Sequence, residues 1–452
     1  LLATRGGNGH LFLEGGSLTT GATQIQLPED QTQNAPLSAI LTVGGTADVS
    51  TTYLLTGNYQ TNAPTSIVNL NGGRFSTGYI QKGSGTGNSA NNANAQTYIN
   101  LNGGKLALTS GGAVVRKSGT APAPRLTVYE GSAVIDANDH ALTLDYPLAA
   151  PSGIGVAAIS VSNPGSGYIA PPFVLISGGG GTGAVAVAVL DAVPGKISGF
   201  RILCPGTGYT SAPTVTLGGG GFIVPASGAT AVLGPVATTG GLTLTGPGSL
   251  TLTAANTYRG ATAVTNATLA LAPSGSIIES SALILDNGAF YAPGRDLTSA
   301  VLRVSGNSTL VASSLTAAAL DKAGDGTLNL YARLALMTNA PTAVATGFTP
   351  IPGLAEGFVV GTGTNTLSAN PCFDIVPTWR ALNGYVASGY FINNAQWPDN
   401  TTYIYSGYLW NRESSSVTWT FACYMDDHIL LKIDDAVVVE RGSFIKIGRA
   451  HV

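Results

Sequence analysis

Few residues of this chain have the types and spacings that do chemistry. Asp426-Asp427 sets two carboxylates side by side, with His428 next to them, and Asp434-Asp435 repeats the pair in what reads as a hairpin turn. Asp136, Asp139 and His140 form the densest other group, and a turn explains them. The remaining histidines, His10 and His451, are far away. There is no His-Glu-x-x-His, no Gly-x-Ser-x-Gly elbow and no zinc-spaced set of cysteines. Gly83-Ser84-Gly85-Thr86-Gly87 lacks the Lys-Ser/Thr of a phosphate loop. No catalytic residue is assigned, and the expectation is a protein that is not an enzyme and requires no cofactor. Of three cysteines, Cys372 and Cys423 share the C-terminal region and are available to each other for a disulfide, which leaves Cys204 over.

The elements around these residues are strands. The chain has 452 residues, 61 of them Gly, with 44% apolar and only 10% charged residues. That apolar share excludes a disordered chain. Thr, Val, Leu, Ala and Tyr between the glycines favour β-structure. A net charge of −3, with Arg5 the one basic residue among the first sixty, argues against nucleic-acid binding. No apolar run is long enough for a transmembrane helix.

The strands repeat. Val68-Asn69-Leu70-Asn71-Gly72-Gly73-Arg74-Phe75 returns 31 residues later as Ile99-Asn100-Leu101-Asn102-Gly103-Gly104-Lys105-Leu106. Looser copies start at Leu11, Leu41, Leu126 and Leu283. Such a period predicts stacked units, with alternate apolar residues pointing inward and Gly or Asn at the corners. A rung of roughly 20–25 residues is expected. An antiparallel β-sandwich series reads similarly, and periodicity alone leaves both open. Residues 83–96, rich in Gly, Ser and Asn, read as a polar loop between two units.

Residues 151–235 follow another rule. Pro164-Gly165-Ser166-Gly167-Tyr168 leads to Pro171-Pro172, Val174 and Gly178–Gly181; 41 residues on, Pro205-Gly206-Thr207-Gly208-Tyr209 leads to Pro213, Val215 and Gly218–Gly221. This block resembles the G-x-G-Y-x-x-x-P-x-V repeat of bacterial and phage surface proteins, a motif without a settled activity. Its glycines make turns, its tyrosine can lid a neighbouring unit, and its proline sits at a strand start where no ladder N–H is needed. Glycine-turn strands on both sides suggest an insertion into the stack.

In residues 236–345 the run Gly241-Leu242-Thr243-Leu244-Thr245-Gly246, then Leu250-Thr251-Leu252, Asn256-Thr257-Tyr258-Arg259-Gly260 and Thr268-Leu269-Ala270-Leu271, resembles the autotransporter-associated β-strand repeat. Ala255 and Ala267 stand where that repeat usually has glycine. The resemblance implies a right-handed parallel β-helix in a secreted or surface protein, and carries no catalytic residue.

Residues 346–446 hold all four tryptophans, Trp379, Trp397, Trp410 and Trp419. Gly407-Tyr408-Leu409, then Trp419-Thr420-Phe421 and Asp426-Asp427-His428-Ile429-Leu430-Leu431-Lys432-Ile433-Asp434-Asp435-Ala436-Val437-Val438, resembles the core of the PA14 β-sandwich. Met425, His428 and Asp435 depart from its usual Ser, Gly and Gly. In the sugar-binding branch of that family the paired aspartates hold Ca²⁺, which coordinates sugar hydroxyls. The resemblance therefore marks Asp426 and Asp427 as candidate Ca²⁺ ligands, or as residues that only shape a loop. Ca²⁺ takes six to eight oxygens, so two carboxylates do not complete a site.

Ile447 to Val452 is what ATC GGA AGA GCA CAC GTC encodes, one frame of a common short-read sequencing adapter. These residues, 447–452, read either as readthrough into an adapter, which implies an environmental assembly and a truncated PA14-like domain, or as an ordinary polar tail. The chain starts Leu-Leu without Met, as after removal of a signal peptide or a lost start.

The expected protein is thus all-β: a β-solenoid over 1–150 and 236–345, the Gly-Tyr-Pro repeats over 151–235, and a PA14-like sandwich over 346–446. The expected function is a structural protein of the bacterial exterior that self-assembles into a filament, tube or lattice, with itself or other surface components as partner. The alternative is a Ca²⁺-dependent glycan-binding adhesin. A carbohydrate-active β-helix enzyme would require two carboxylates at catalytic separation in a groove.

Overall fold

The structure is a computed structural model. It describes residues 8–336, apart from 30–37, 59–63, 84–94, 119–121 and 192–194, and beyond them the backbone of short strands between 355 and 451. Every described element is a β-strand.

Residues 9–149 wind through three parallel sheets. The first contains Gly9–Leu13, Ser38–Val43, Thr65–Leu70, Gln96–Leu101, Arg125–Val128 and Leu148–Ala149, each paired in parallel with the next. Ser17–Thr19, Asp48–Thr51, Arg74–Thr77, Lys105–Leu108 and Ala133–Asp136 stack in the second. Ile25–Glu29, Leu54–Asn58, Ile80–Lys82 and Val115–Lys117 form the third. The long parallel sheets select the solenoid over the antiparallel series.

Alternation fills the interior. Leu41, Val68, Ile99, Leu126 and Leu148 are in register and buried in one column. At the following corner Asn102 donates to Asn71 Oδ1 at 3.3 Å and accepts from the Gly131 N–H at 2.8 Å, a ladder that serves backbone groups sharp turns leave open. Gly73, at φ 61°, would put a Cβ 2.3 Å from the Ala47 carbonyl oxygen, so this corner admits no side chain.

The rung length exceeds the expected 20–25 over much of the first half and falls at its lower edge in the second. Paired residues of the first sheet are 27 apart from Leu41 to Val68, 31 from Val68 to Ile99 and 22 from Leu126 to Leu148, and those of the second half bond across 20, as in Asn307 to Asn287 and Thr327 to Asn307. The longer rung carries a separate third-sheet strand and its connections, whereas around Leu242–Leu271 each rung has two strands and a loop.

The stack runs straight past residues 150–241. Ala133–Asp136 pairs in parallel with Leu242–Thr245, and His140–Leu144 with Gly248–Leu252. Ile135, Leu244, Val264, Leu285 and Val304 form one buried column across the join. Leu142, Leu250, Leu269, Phe290 and Leu310 form a second.

The loop Asn256-Thr257-Tyr258 covers the last strand of the first sheet. Asn256 Oδ1 accepts from the Leu148 N–H at 2.9 Å, and its amide donates to the Ala254 and Ser276 carbonyls, both at 2.9 Å. The Thr257 and Tyr258 N–H groups donate to the Leu148 carbonyl at 3.0 and 3.2 Å. Buried Tyr258 meets Thr262 Oγ1 at 2.6 Å, and Thr262 meets Ser280 Oγ at 2.9 Å. Burial pushes the Tyr258 phenol well above its usual range.

Residues 154–235 form antiparallel sheets around a separate core of Val156, Tyr168, Val174, Ala186, Ile197 and Tyr209. The two 41-residue repeats interlock. The Ile169 N–H donates to the Gly220 carbonyl at 3.1 Å, and its counterpart Thr210 donates to Gly179 at 2.9 Å. Tyr168 donates to Gly195 at 2.9 Å, and Tyr209 to Ile154 at 3.0 Å; Val156 donates to Pro205 at 2.7 Å, and Ile197 to Pro164 at 3.1 Å. Each of these bonds has its partner 41 positions along, with donor and acceptor repeats exchanged, so the repeats are related by an approximate two-fold axis. Each tyrosine lies on the other repeat's glycine run: a Cβ on Gly181 would meet the Tyr209 ring at 2.3 Å, and one on Gly220 the Tyr168 ring at 2.9 Å. Pro172 and Pro213 immediately precede the antiparallel pair Phe173–Ser177 and Thr214–Gly218.

Beyond residue 336, Ala355–Val360 pairs antiparallel with Thr378–Arg380 and Thr401–Ser406, His428–Ile433 with Ala436–Gly442, and Thr420–Cys423 with Ile447–His451.

Candidate functional site: a polar seam under the Gly-Tyr block

One side of the block covers the outer face of the first sheet. Ile40, Ile67, Tyr98 and Tyr129 of the solenoid bury against Val185, Leu203 and Cys204 of the block. Strands whose alternation predicts one wet face are therefore covered on both: Ser38–Val43 is buried at every position. Beside the apolar residues runs an outward polar row, Thr42, Asn69, Asn100 and Thr127, in register from rung to rung. Asn100 donates to the Gly183 carbonyl at 3.0 Å, and Asn71 to the Leu203 carbonyl. Asn69, fully buried, has neither its amide nor its carbonyl paired among the described residues.

At the edge of the seam a cleft of about 300 Å³ is lined by Phe12, Glu14, Thr42, Asn71, Asn102 and Arg201 among others. Arg201 Nη2 lies 2.6 Å from Glu14 Oε1, and its guanidinium stands 5.1 Å from the Phe12 ring centre. Both charged side chains are nearly half exposed, so the pair contributes at most about 1 kcal/mol. The cleft offers amides, the Thr42 hydroxyl and one ion pair, groups that can hydrogen-bond a ligand. The Cys204 thiol is free, buried and pushed up to about 12 by burial, which keeps it protonated and inert at neutral pH.

His10 sits at the same edge, with Nε2 2.8 Å from Thr42 Oγ1. Burial lowers its pKa from 6.5 to about 4. The fold accepts the neutral ring. As pH falls below 6.5 the unfolded strand gains a proton that the folded one refuses until about 4, so stability drops through that window and levels off below it. The expected loss totals about 1–3 kcal/mol. Hydrogen exchange of the Gly9–Leu13 amides should accelerate between pH 6.5 and 4, after correction for intrinsic rates, more in the natural chain than in His10→Gln. Parallel profiles would rule the effect out.

The residues singled out from sequence lie mostly elsewhere. Asp426, Asp427, Asp434, Asp435 and Cys372 fall outside the described residues, and Cys423 is described only as backbone in its strand. Of residues 83–96, only Gly83, Ala95 and Gln96 are described. Asp136, Asp139 and His140 sit at a turn: Asn138 and Asp139 have φ of 48° and 67°, Asp136 Oδ1 accepts from the Asn138 N–H at 3.1 Å, and Asp136 Oδ2 lies 3.5 Å from Lys105 Nζ. Among the described residues no three His, Cys, Asp or Glu side chains are placed to share a metal ion. Sequence reasoning missed the Thr42–Asn69–Asn100 row. Its signal was a polar residue at the same outward position of successive copies, which by itself reads as solvent-facing.

The fold defines a class, a parallel β-solenoid with a second antiparallel unit seated on one face. The profile of the passenger-associated-transport-repeat family matches residues 242–271. That stretch spans the join between the solenoid halves and includes Asn256 and Tyr258. The repeat is one of autotransporter passenger domains, and it implies a surface or extracellular location. Comparison with curated proteins and with solved structures gives no match. No helix among the described residues is long and apolar enough to cross a membrane.

Proposed function

We propose that this chain is a non-enzymatic structural protein of the bacterial exterior that assembles with copies of itself into a filament, tube or lattice. The observation that carries the reading is the stack of parallel strand pairings that runs from Gly9 to Leu336, with register shifts at Ala292/Asp296 and Val311/Ser314, and contains the passenger repeat. Such quasi-one-dimensional scaffolds present long repetitive surfaces suited to association. Near-neutral surfaces add no strong repulsion; Asp191, Lys196 and Arg201 are the sole charged residues between Tyr146 and Arg259. Within this reading the solenoid is a right-handed β-helix, the Gly-Tyr repeats are an insertion in it, and residues 346–446 are a PA14-like sandwich. Leu244→Asp, which strikes the join behind the block, tests the insertion. Sedimentation velocity over a rising concentration series, with electron microscopy of the top sample, tests assembly. Growing oligomers of regular shape are expected, and a monodisperse monomer at the highest concentration would refute it.

The second reading is a Ca²⁺-dependent glycan-binding adhesin, supported by Asp426-Asp427 in a PA14-like segment whose flanking strands pair antiparallel. A glycan array with and without chelator, with Asp426→Ala and Asp427→Ala as controls, separates the two.

A further inference from the structure

The two-fold relation within the block duplicates the corner that meets the solenoid, but only one of the two copies is covered. The covered corner is Gly181-Thr182-Gly183, where Gly183 accepts from Asn100 and lies against Tyr129. It is held by the Thr182–Thr207 backbone pair, each N–H donating to the other's carbonyl at 2.9 Å. The counterpart 41 residues on is Phe222-Ile223-Val224, held likewise by Ser166, whose carbonyl accepts from Ile223 at 3.0 Å and whose N–H donates to Val224 at 3.0 Å. This second corner faces away from the seam. Ile223 is 82% exposed, Phe222 48% and Val224 44%, and the adjoining Ile169 is 88% exposed.

Side-chain chemistry at the two corners is the reverse of what solvent would favour. The covered copy carries two glycines and a threonine; the bare copy carries three large apolar residues, with Ile169 against Gly221 completing a patch. Contiguous exposed apolar surface of this kind marks an interaction site. Its surroundings say what fits. No Asp, Glu, Lys, Arg or His occurs between Arg201 and Arg259, and the charge brought nearest to Ile169 by a backbone bond is the single Lys196, next to Gly195, whose carbonyl accepts from the Tyr168 N–H, so the patch is weakly charged and offers little to steer a charged partner. An identical patch is a complementary surface, because a two-fold contact sets apolar on apolar and opposes few like charges. The fold already uses the equivalent corner to seat one β-unit on another.

We propose that Ile169 and Phe222-Ile223-Val224 form an isologous contact between two copies of this chain. This rests on the self-assembly reading and names one of its contacts. Four side chains cover less than the roughly 800 Å² per partner of a standard interface, so the contact is weak alone and dissociates on dilution.

Sedimentation velocity of the full chain tests it with three proteins: the natural sequence, Ile223→Asp, and Ile278→Asp on the solenoid, where Ile278 is 72% exposed. Both substitutions are on exposed side chains, and circular dichroism checks that each variant folds. Ile223→Asp is expected to raise the concentration for self-association at least about tenfold, by desolvating two facing carboxylates, while Ile278→Asp behaves as the natural chain. A second arm uses Ile223→Cys with Cys372→Ser and Cys423→Ser and a flexible bismaleimide, which spans neighbouring thiols without requiring disulfide geometry; a contact at this patch predicts a covalent dimer through the two introduced cysteines. Association unchanged by Ile223→Asp, or absence of that cross-link in associating protein, overturns this contact and leaves self-assembly standing. A natural chain that stays monomeric throughout overturns both.

Discussion

Leu244→Asp is expected to destabilise the solenoid by about 5 kcal/mol, enough to part its two halves. Leu244 is fully buried between Ile135 on the rung before the block and Val264 on the rung after. A carboxylate there meets only the apolar column. It either stays charged in a low-dielectric interior or takes up a proton and remains unpaired, and both are costly. The neighbouring Thr243 pairs with Val134 and Ala263 on the outward side of the same strand, where it is partly exposed. Thr243→Asp is expected to cost less than about 1 kcal/mol. Thermal unfolding with limited proteolysis reads the result. Leu244→Asp should yield cleavage between the halves at temperatures where Thr243→Asp is intact. Equal behaviour of the two would mean that the rungs do not continue past the block.

Asn256→Ala is expected to cost about 2–4 kcal/mol. The side chain satisfies the Leu148 N–H and two carbonyls at once, and it is almost fully buried. Alanine leaves the Leu148 N–H without this partner at the sheet's last strand, where no further strand takes its place. Asn256→Asp keeps the acceptor and loses the donors, so an intermediate loss is expected. Tyr258→Phe removes only the hydroxyl contact with Thr262, which keeps its bond to Ser280, and should cost about 1 kcal/mol. Denaturant unfolding of the three variants should rank them in this order. A neutral Asn256→Ala would show that the loop does not fasten the halves. These are residues of the matched passenger repeat, and here their work is structural: the loop closes the edge of a sheet that would otherwise offer open hydrogen-bonding groups.

The inward half of this protein is legible in its amino-acid sequence. Leu41, Val68 and Ile99, or Leu244, Val264 and Leu285, announce themselves by alternation and by return at a fixed interval, because a residue facing the axis of a stack meets its own equivalents. Asn71 and Asn102 at the corners follow for the same reason, since tight turns favour few residue types. The 41-residue period of the Gly-Tyr block is equally plain. The outward half is not. Ile40, Ile67 and Tyr98 share the outward face of their strands with Thr42, Asn69 and Asn100, and nothing local says that Val185 and Leu203 will cover them. Nor does the repeat in the block reveal that each tyrosine lids the other copy's glycines, or that Phe222-Ile223-Val224 is the bare twin of a covered corner. Local pattern determines which way a side chain points along its strand; what it meets on the outer side is decided by segments a hundred residues away, and only the closed tertiary structure brings them together.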